Sequence, residues 1–330
     1  VSGTVQARFH PAGFDDELRT VLDDVRAGRW RSMSELLRRC PTWGIRTSRS
    51  QVLAVAAAQG DAVEAWLQED RDANAVMMRA RVMTQRALTA HRAGRRDGGV
   101  LADLAWKACL EAARNWPVDP VPWVCLVALA QLDSPEVSRR RPEHRLPAPE
   151  YNLPPGPWGF LHEADQRDRG NREAWHRMIQ ALKAYGDDVH DVARWICTWA
   201  PAGSPLLLLP LYLHAEHYGK QRASGSQTSL YWNTDPIAYY TKRALSRWFR
   251  YADPAAWSPL DLNYLAQALF SGGLTTEATP VFQVIGPFAT PEPWTYMAEA
   301  PERWLEQFER ARRRCLQGAA ARPPHPARRR

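Results

Sequence analysis

Lysine is nearly missing from this chain. Of its 43 basic residues only Lys107, Lys183, Lys220 and Lys242 are lysine, and the other 39 are arginine. Together with 26 prolines, that usage marks a GC-rich bacterial genome. Cysteine is sparse too. Cys40, Cys109, Cys125, Cys197 and Cys315 are odd in number, far apart, and form no CxxC pair. This excludes a disulfide framework or a zinc ribbon and predicts reduced thiols in a cytoplasmic protein. No apolar run approaches the length needed to span a bilayer. The most apolar, Leu206 to Leu213, is interrupted by Pro210, so no membrane segment is expected. No basic segment followed by an apolar one opens the chain, and no signal peptide is expected. No Asn-Gly or Asp-Gly pair sits between alternating apolar runs, so hairpins are not expected. The phosphate loops GxxxxGK and GxGxxG are missing, as are GxSxG and H-E-x-x-H. No cofactor is expected.

A formal net charge of +7 suggests a basic protein, but the excess is local. Eight arginines and no acid lie from Arg310 to the end. The rest of the chain is close to neutral, so any contact with nucleic acid is expected only through this tail.

What is present is a helical pattern. Leu18, Val21, Leu22 and Val25 recur at helical spacing, Gly28 interrupts them, and Met33, Leu36 and Leu37 resume the stripe. Similar turns are predicted at Gln59-Gly60-Asp61, Gly186-Asp187 and Gly272-Gly273. Six prolines and the cluster Arg139, Arg140 and Arg141 predict an extended surface loop over 137–157. The domain reading is N-terminal helical repeats at 1–136, that loop, C-terminal helical repeats at 158–317 and a disordered basic tail at 318–330.

Internal similarity is the strongest signal. Ala105, Cys109, Ala112 and Pro117 share the spacing of Ala193, Cys197, Ala200 and Pro205. Ala278, Phe282 and Ile285 follow it, ending in Thr290. Six residues after Pro117 comes Trp123, and six after Pro205 comes Leu211, followed by His214, Ala215 and Tyr218. Leu262, Leu265, Ala266 and Leu269 precede Gly272 in the same way. This resembles the tetratricopeptide repeat. The resemblance implies an all-α fold, a right-handed superhelical solenoid of antiparallel helix pairs. The segment order, carried by Asn171 to His176 and Ala200 to Pro205, is similar to a bacterial family of such repeat proteins of unknown function.

Such a solenoid implies a concave groove. In that phase Tyr212 and Glu216 line it, with Asn263 and Gln267 on the equivalent stripe of a later repeat, all four exposed and free of packing duty. The function expected is a non-catalytic scaffold or adaptor that binds a peptide or partner protein. A helical metalloenzyme or enzyme accessory is the alternative. Glu173 and His176 form an E-x-x-H pair, and His214 could join them, but di-iron bundles need a second such pair. A regulator that touches nucleic acid through its tail is a further alternative. The fifteen tryptophans, among them Trp66, Trp106, Trp123, Trp175, Trp195 and Trp248, are read as helix packing.

A tail of Ala, Pro and Arg buries little apolar area. Deleting Gly318 to Arg330 should therefore leave Tm nearly unchanged in a thermal melt. A large fall would show that the tail packs on the body.

Overall fold

A computed structural model describes residues 6–133, 146–226 and 230–320, with side chains through 317. Of these residues 71% are helical, and none belongs to a strand. The first two helices show how local chemistry sets the boundaries. α1 (Asp16–Arg26) begins where the Asp15 carboxylate accepts the Leu18 amide at 2.9 Å, with Asp16 and Glu17 in its first turn. Acids there favour the positive end of the helix dipole. Leu18, Val21, Leu22 and Val25 are buried, as the spacing predicts. Gly28 then takes φ of +78°, a conformation that side-chain-bearing residues avoid, and α2 (Arg31–Arg38) follows.

The remaining helices are α3 (Trp43–Ala57), α4 (Ala62–Glu69), α5 (Ala73–Arg92), α6 (Gly98–Asn115) and α7 (Val121–Ala130), then α8 (Trp158–Arg167), α9 (Arg172–Ala184) and α10 (His190–Trp199). After them come α11 (Leu209–Ala223), α12 (Asp235–Arg243), α13 (Pro259–Ser271), α14 (Thr275–Ile285), α15 (Pro291–Met297) and α16 (Trp304–Ala320). A π-helical stretch, Ala244–Phe249, extends α12. Each predicted turn falls between helices. No helix among the described residues is long and apolar enough to cross a membrane.

The chain forms two compact units, Asp15–Trp195 and, separately, Val1–Phe14 with Ile196–Arg330. We call these the N-terminal and C-terminal units. The division falls within α10 and does not follow the Pro-rich interval. The reason is packing across that interval: α8 and α9 both lie against α7, joining the helices on either side into one unit. Part of the expected surface loop is also buried. Leu153, Gly156 and Pro157 are covered, and Trp158 Nε1 donates to the Pro154 carbonyl at 2.8 Å. Arg139, Arg140 and Arg141, and the tail beyond 320, lie outside the described residues.

The repeated small residues do what their spacing suggests. Ala105, Cys109 and Ala112 on α6, Ala193 and Cys197 on α10, and Ala278, Phe282 and Ile285 on α14 are all buried. Several tryptophans pack as expected. Trp66 stacks on Trp30 at 5.4 Å, and Trp175 and Trp248 are buried.

The N-terminal unit carries charge in its interior. Arg46 on α3 donates to Asp119 at 2.8 and 3.0 Å, to Asn74 Oδ1 at 2.8 Å and to the Leu37 carbonyl at 3.2 Å. Arg81 on α5 pairs with both oxygens of Glu173 on α9, with Nη1 to Oε1 at 2.9 Å. It also donates to the Thr47 carbonyl and the Ser50 hydroxyl of α3. The side chains of Arg81 and Glu173 are 4% and 6% exposed, so neither charge has water to fall back on. Breaking such a pair from one side leaves an uncompensated ion, at a cost of about 3–5 kcal/mol.

Glu173→Ala should therefore destabilise the protein by about 3–5 kcal/mol in urea titration. Arg81→Leu with Glu173→Leu should recover a large part of that loss, because it removes both ions together. A single-variant loss under about 1 kcal/mol would mean that Arg81 finds another counter-ion.

Candidate functional site

In the C-terminal unit α11, α13 and α15 pack against one another. Tyr212 and Glu216 lie one turn apart on α11, both half-buried. The Tyr212 ring stacks on Tyr264 of α13 with centroids 3.6 Å apart, and its hydroxyl donates to Asp261 at 2.6 Å. Tyr296 on α15 lies near Tyr264. Tyr296 can reach α11 because Gly219 has no side chain: a Cβ there would stand 2.8 Å from its ring.

Glu292 completes the group. Although more than a third of its surface meets solvent, partial burial and the nearby Glu216 carboxylate raise its pKa above 4.5. Burial and then the Glu292 and Glu216 charges push Tyr296 up to about 12. Burial, followed by Tyr212 and Tyr296, holds Tyr264 well above 10.0. Tyr264 and Tyr296 therefore keep their protons at neutral pH. Glu216 also meets Lys220 at 3.0 Å, an exposed i,i+4 pair that contributes little. Aromatic faces beside two carboxylates form a surface that attracts a cation.

The expected stripe is thus only half of this surface. Tyr212 and Glu216 belong to it, whereas Asn263 and Gln267 are 0% exposed. This corrects the expectation that all four are exposed. Asn263 ties three elements together. Its amide donates to the Pro259 and Phe288 carbonyls at 2.8 and 3.1 Å, and its oxygen accepts Trp294 Nε1 at 2.8 Å. The loop it holds is also pinned by the N-terminal segment, where Arg8 exchanges backbone hydrogen bonds with Pro287 and Ala289. Gln267 donates to the Ser271 hydroxyl at 3.0 Å and to Met297 Sδ at 3.4 Å. The physical reason is that α11, α14, α15 and α16 all lie against α13, so its stretch 261–269 is wholly buried. That signal was in the sequence. Leu262, Tyr264, Leu265, Ala266, Ala268 and Leu269 encircle the helix, and a helix apolar on all sides is an interior one. Tyr264, Glu292 and Tyr296 were missed because they meet Tyr212 and Glu216 only through tertiary packing.

The residues considered for metal go elsewhere. Glu173 is held below the usual carboxylate range: burial opposes ionisation, but Arg81 and Arg177 outweigh it. Two guanidiniums on one carboxylate oppose the arrival of a cation. Ring burial, with Arg172 and Arg177 close by, keeps the pKa of His176 well below 6.5. His214 belongs to the other unit, where its Nδ1 lies 3.1 Å from the Tyr231 hydroxyl. Among the described residues no three His, Cys, Asp or Glu side chains gather as a metal site would require.

The chain matches no protein-family model, no curated protein and no solved structure.

Two outcomes follow from the geometry. Asn263→Ala should cost about 2–4 kcal/mol, since it strands the buried Trp294 indole donor and leaves the Pro259 and Phe288 carbonyls without their side-chain donor, and urea titration measures it. Tolerance within 0.5 kcal/mol would restore Asn263 to the exposed stripe. Glu292 has the raised pKa of a group that prefers its proton when folded. Its contribution is full below 4.5 and is lost as pH rises through the folded value. Glu292→Gln should accordingly raise Tm at neutral pH and leave it unchanged well below 4.5. Equal Tm at neutral pH would remove the Glu216–Glu292 repulsion.

Proposed function

We propose that this chain is a non-catalytic interaction module built on tetratricopeptide-like helix pairs, and that it binds a peptide or partner protein through a basic side chain. The observation that carries this reading is that Glu216 and Glu292, on helices that pack together, are near enough to act on each other's charge and on Tyr296. The two carboxylates raise each other's cost of ionisation, and a guanidinium or ammonium between them relieves it. The tyrosine faces add a cation–π attraction of about 0.5–2 kcal/mol. Arginine suits such a place well, because its planar fork can meet a carboxylate with two hydrogen bonds and stack on an aromatic ring. Glu292 is exposed and Tyr212, Glu216 and Tyr296 are half-buried, so the surface is open to an extended peptide. A role as scaffold or adaptor follows from binding without chemistry. No clustered nucleophile and base accompany the carboxylates in this group.

A random peptide library selected on the purified chain should enrich arginine- or lysine-bearing peptides. Glu216→Gln with Glu292→Gln should weaken the selected peptide at least about tenfold, as losing charge-assisted hydrogen bonds of about 1.5–3 kcal/mol implies, with a melting transition no lower than that of the parent chain. Enrichment of peptides without a cation, or undiminished binding in the double variant, would reject the reading.

A further inference from the structure

One helix of the C-terminal unit turns cations outward with no acid among them. From Pro236 to Ala252 the chain carries Lys242, Arg243, Arg247 and Arg250 and no carboxylate. Ile237, Thr241, Ala244 and Trp248 bury one face of α12 and its π-helical extension. Tyr239, Lys242, Ser246, Arg247, Arg250 and Tyr251 are exposed on the other. Tyr239 and Tyr251 keep 56% and 67% of their surface in solvent. Among the described residues the only other exposed Phe, Tyr or Trp are Phe9 and Tyr151. Among those residues Lys242, Arg247 and Arg250 enter no ion pair.

The backbone brings these side chains into line. Four residues overshoot one turn of an α-helix and fall short of one turn of the wider π-helix. The two drifts oppose each other across Tyr239, Arg243, Arg247 and Tyr251, so these positions follow one edge of the helix. A straight α-helix would carry Tyr251 round towards the buried side. Gly203 secures the π-helical turn, because its amide donates to the Arg247 carbonyl at 2.7 Å. A Cβ at Gly203 would stand 2.9 Å from the Tyr251 carbonyl oxygen. Tyr239 is held as well. Arg243 donates to its hydroxyl at 3.3 Å, lies 6.0 Å from its ring centroid and also donates to the Cys197 carbonyl at 2.6 Å. π-helical turns are rare and concentrate at functional sites.

Outward rings interleaved with cations suit a partner that repeats a planar group and an anion. A nucleic-acid strand does so: its bases stack on rings and its phosphates meet cations. Stacking on a side chain needs bases free of a duplex, so the strand is single. An anionic membrane would need apolar side chains to insert, and no Ala, Leu or Ile of this stretch is exposed. An acidic peptide would pair with the cations and leave both rings in water.

We propose that α12 and its π-helical extension form a binding face for single-stranded nucleic acid, on which Tyr239 and Tyr251 stack bases and Lys242, Arg247 and Arg250 hold phosphates. This face needs neither the arginine-rich end of the chain, where the sequence alone places such a contact, nor the surface around Glu216 and Glu292.

The test is fluorescence anisotropy of the full chain with labelled oligothymidine and oligouridine of about twelve nucleotides, a length such faces cover. Affinity should fall with salt on a log–log slope of about −2, as three phosphate contacts on a single strand imply. Tyr239→Ala and Tyr251→Ala should each raise Kd about tenfold, whereas Tyr239→Phe should bind like the parent because its ring remains. Arg247→Gln with Arg250→Gln should raise Kd and flatten the slope to about −0.7. Arg313→Gln with Arg314→Gln should change neither. The substituted side chains are exposed, so every variant should melt with the parent chain. Absence of binding to both oligonucleotides, or tighter binding of a duplex of the same length, would overturn the proposal. So would alanine variants of both tyrosines that bind like the parent, or a loss confined to the Arg313 and Arg314 variant.

Discussion

A guanidinium that cannot reach water is the constraint around which the N-terminal unit is organised. Arg81 keeps its charge at 4% exposure, so the surrounding helices must neutralise it and satisfy its donors. α9 supplies Glu173, α3 supplies the Thr47 carbonyl and the Ser50 hydroxyl, and α7 supplies Cys125. Each of these contacts fixes the register of one helix against α5. Arg46 repeats the arrangement with Asp119, Asn74 and Leu37, and its guanidinium lies 4.8 Å from the Trp116 ring. An apolar core of alanine and leucine would tolerate small slips between helices. A core with two buried ion pairs does not, because a slip strands a charge.

In the C-terminal unit uncharged donors tie several helices together. Asn263 joins the start of α13, the loop before α15 and the Trp294 indole. Asp261 is closed off by the Tyr212 hydroxyl. What differs is where unbalanced charge is left. In the N-terminal unit the interior carboxylates face arginines. In the C-terminal unit Glu216 and Glu292 act on each other without an arginine between them in the way Arg81 and Arg177 serve Glu173. Charge closed inside a unit serves the fold, and charge left open at a surface is available to a ligand. This contrast places the functional reading on α11 and α15 and away from Glu173.

Arg81 serves Glu173 first and Cys125 second, so one ion ties α5 to both α9 and α7. Arg81, Glu173 and Cys125 therefore act as a unit, and their effects on stability will not add independently.

Helix positions were legible in the residues because the signals are local. The capping Asp15, Gly28 with its positive φ, and the apolar spacing of Leu18 through Val25 act within a few residues of one another. The small-residue phase of Ala105 and Cys109, and of Ala193 and Cys197, was also readable, since burial follows from periodicity along one helix. Which helix faces are covered is a different kind of fact. Tyr212 and Asn263 occupy comparable places in their helices, yet one is half-buried and the other has no exposed surface. Their fates separate because five helices lie against α13, a property of the assembled unit. The meetings of Arg81 with Glu173 and of Tyr212 with Tyr264 are likewise decided by packing. Ion pairing and ring stacking depend on distance in space, and spacing along a helix constrains that distance only within the helix itself.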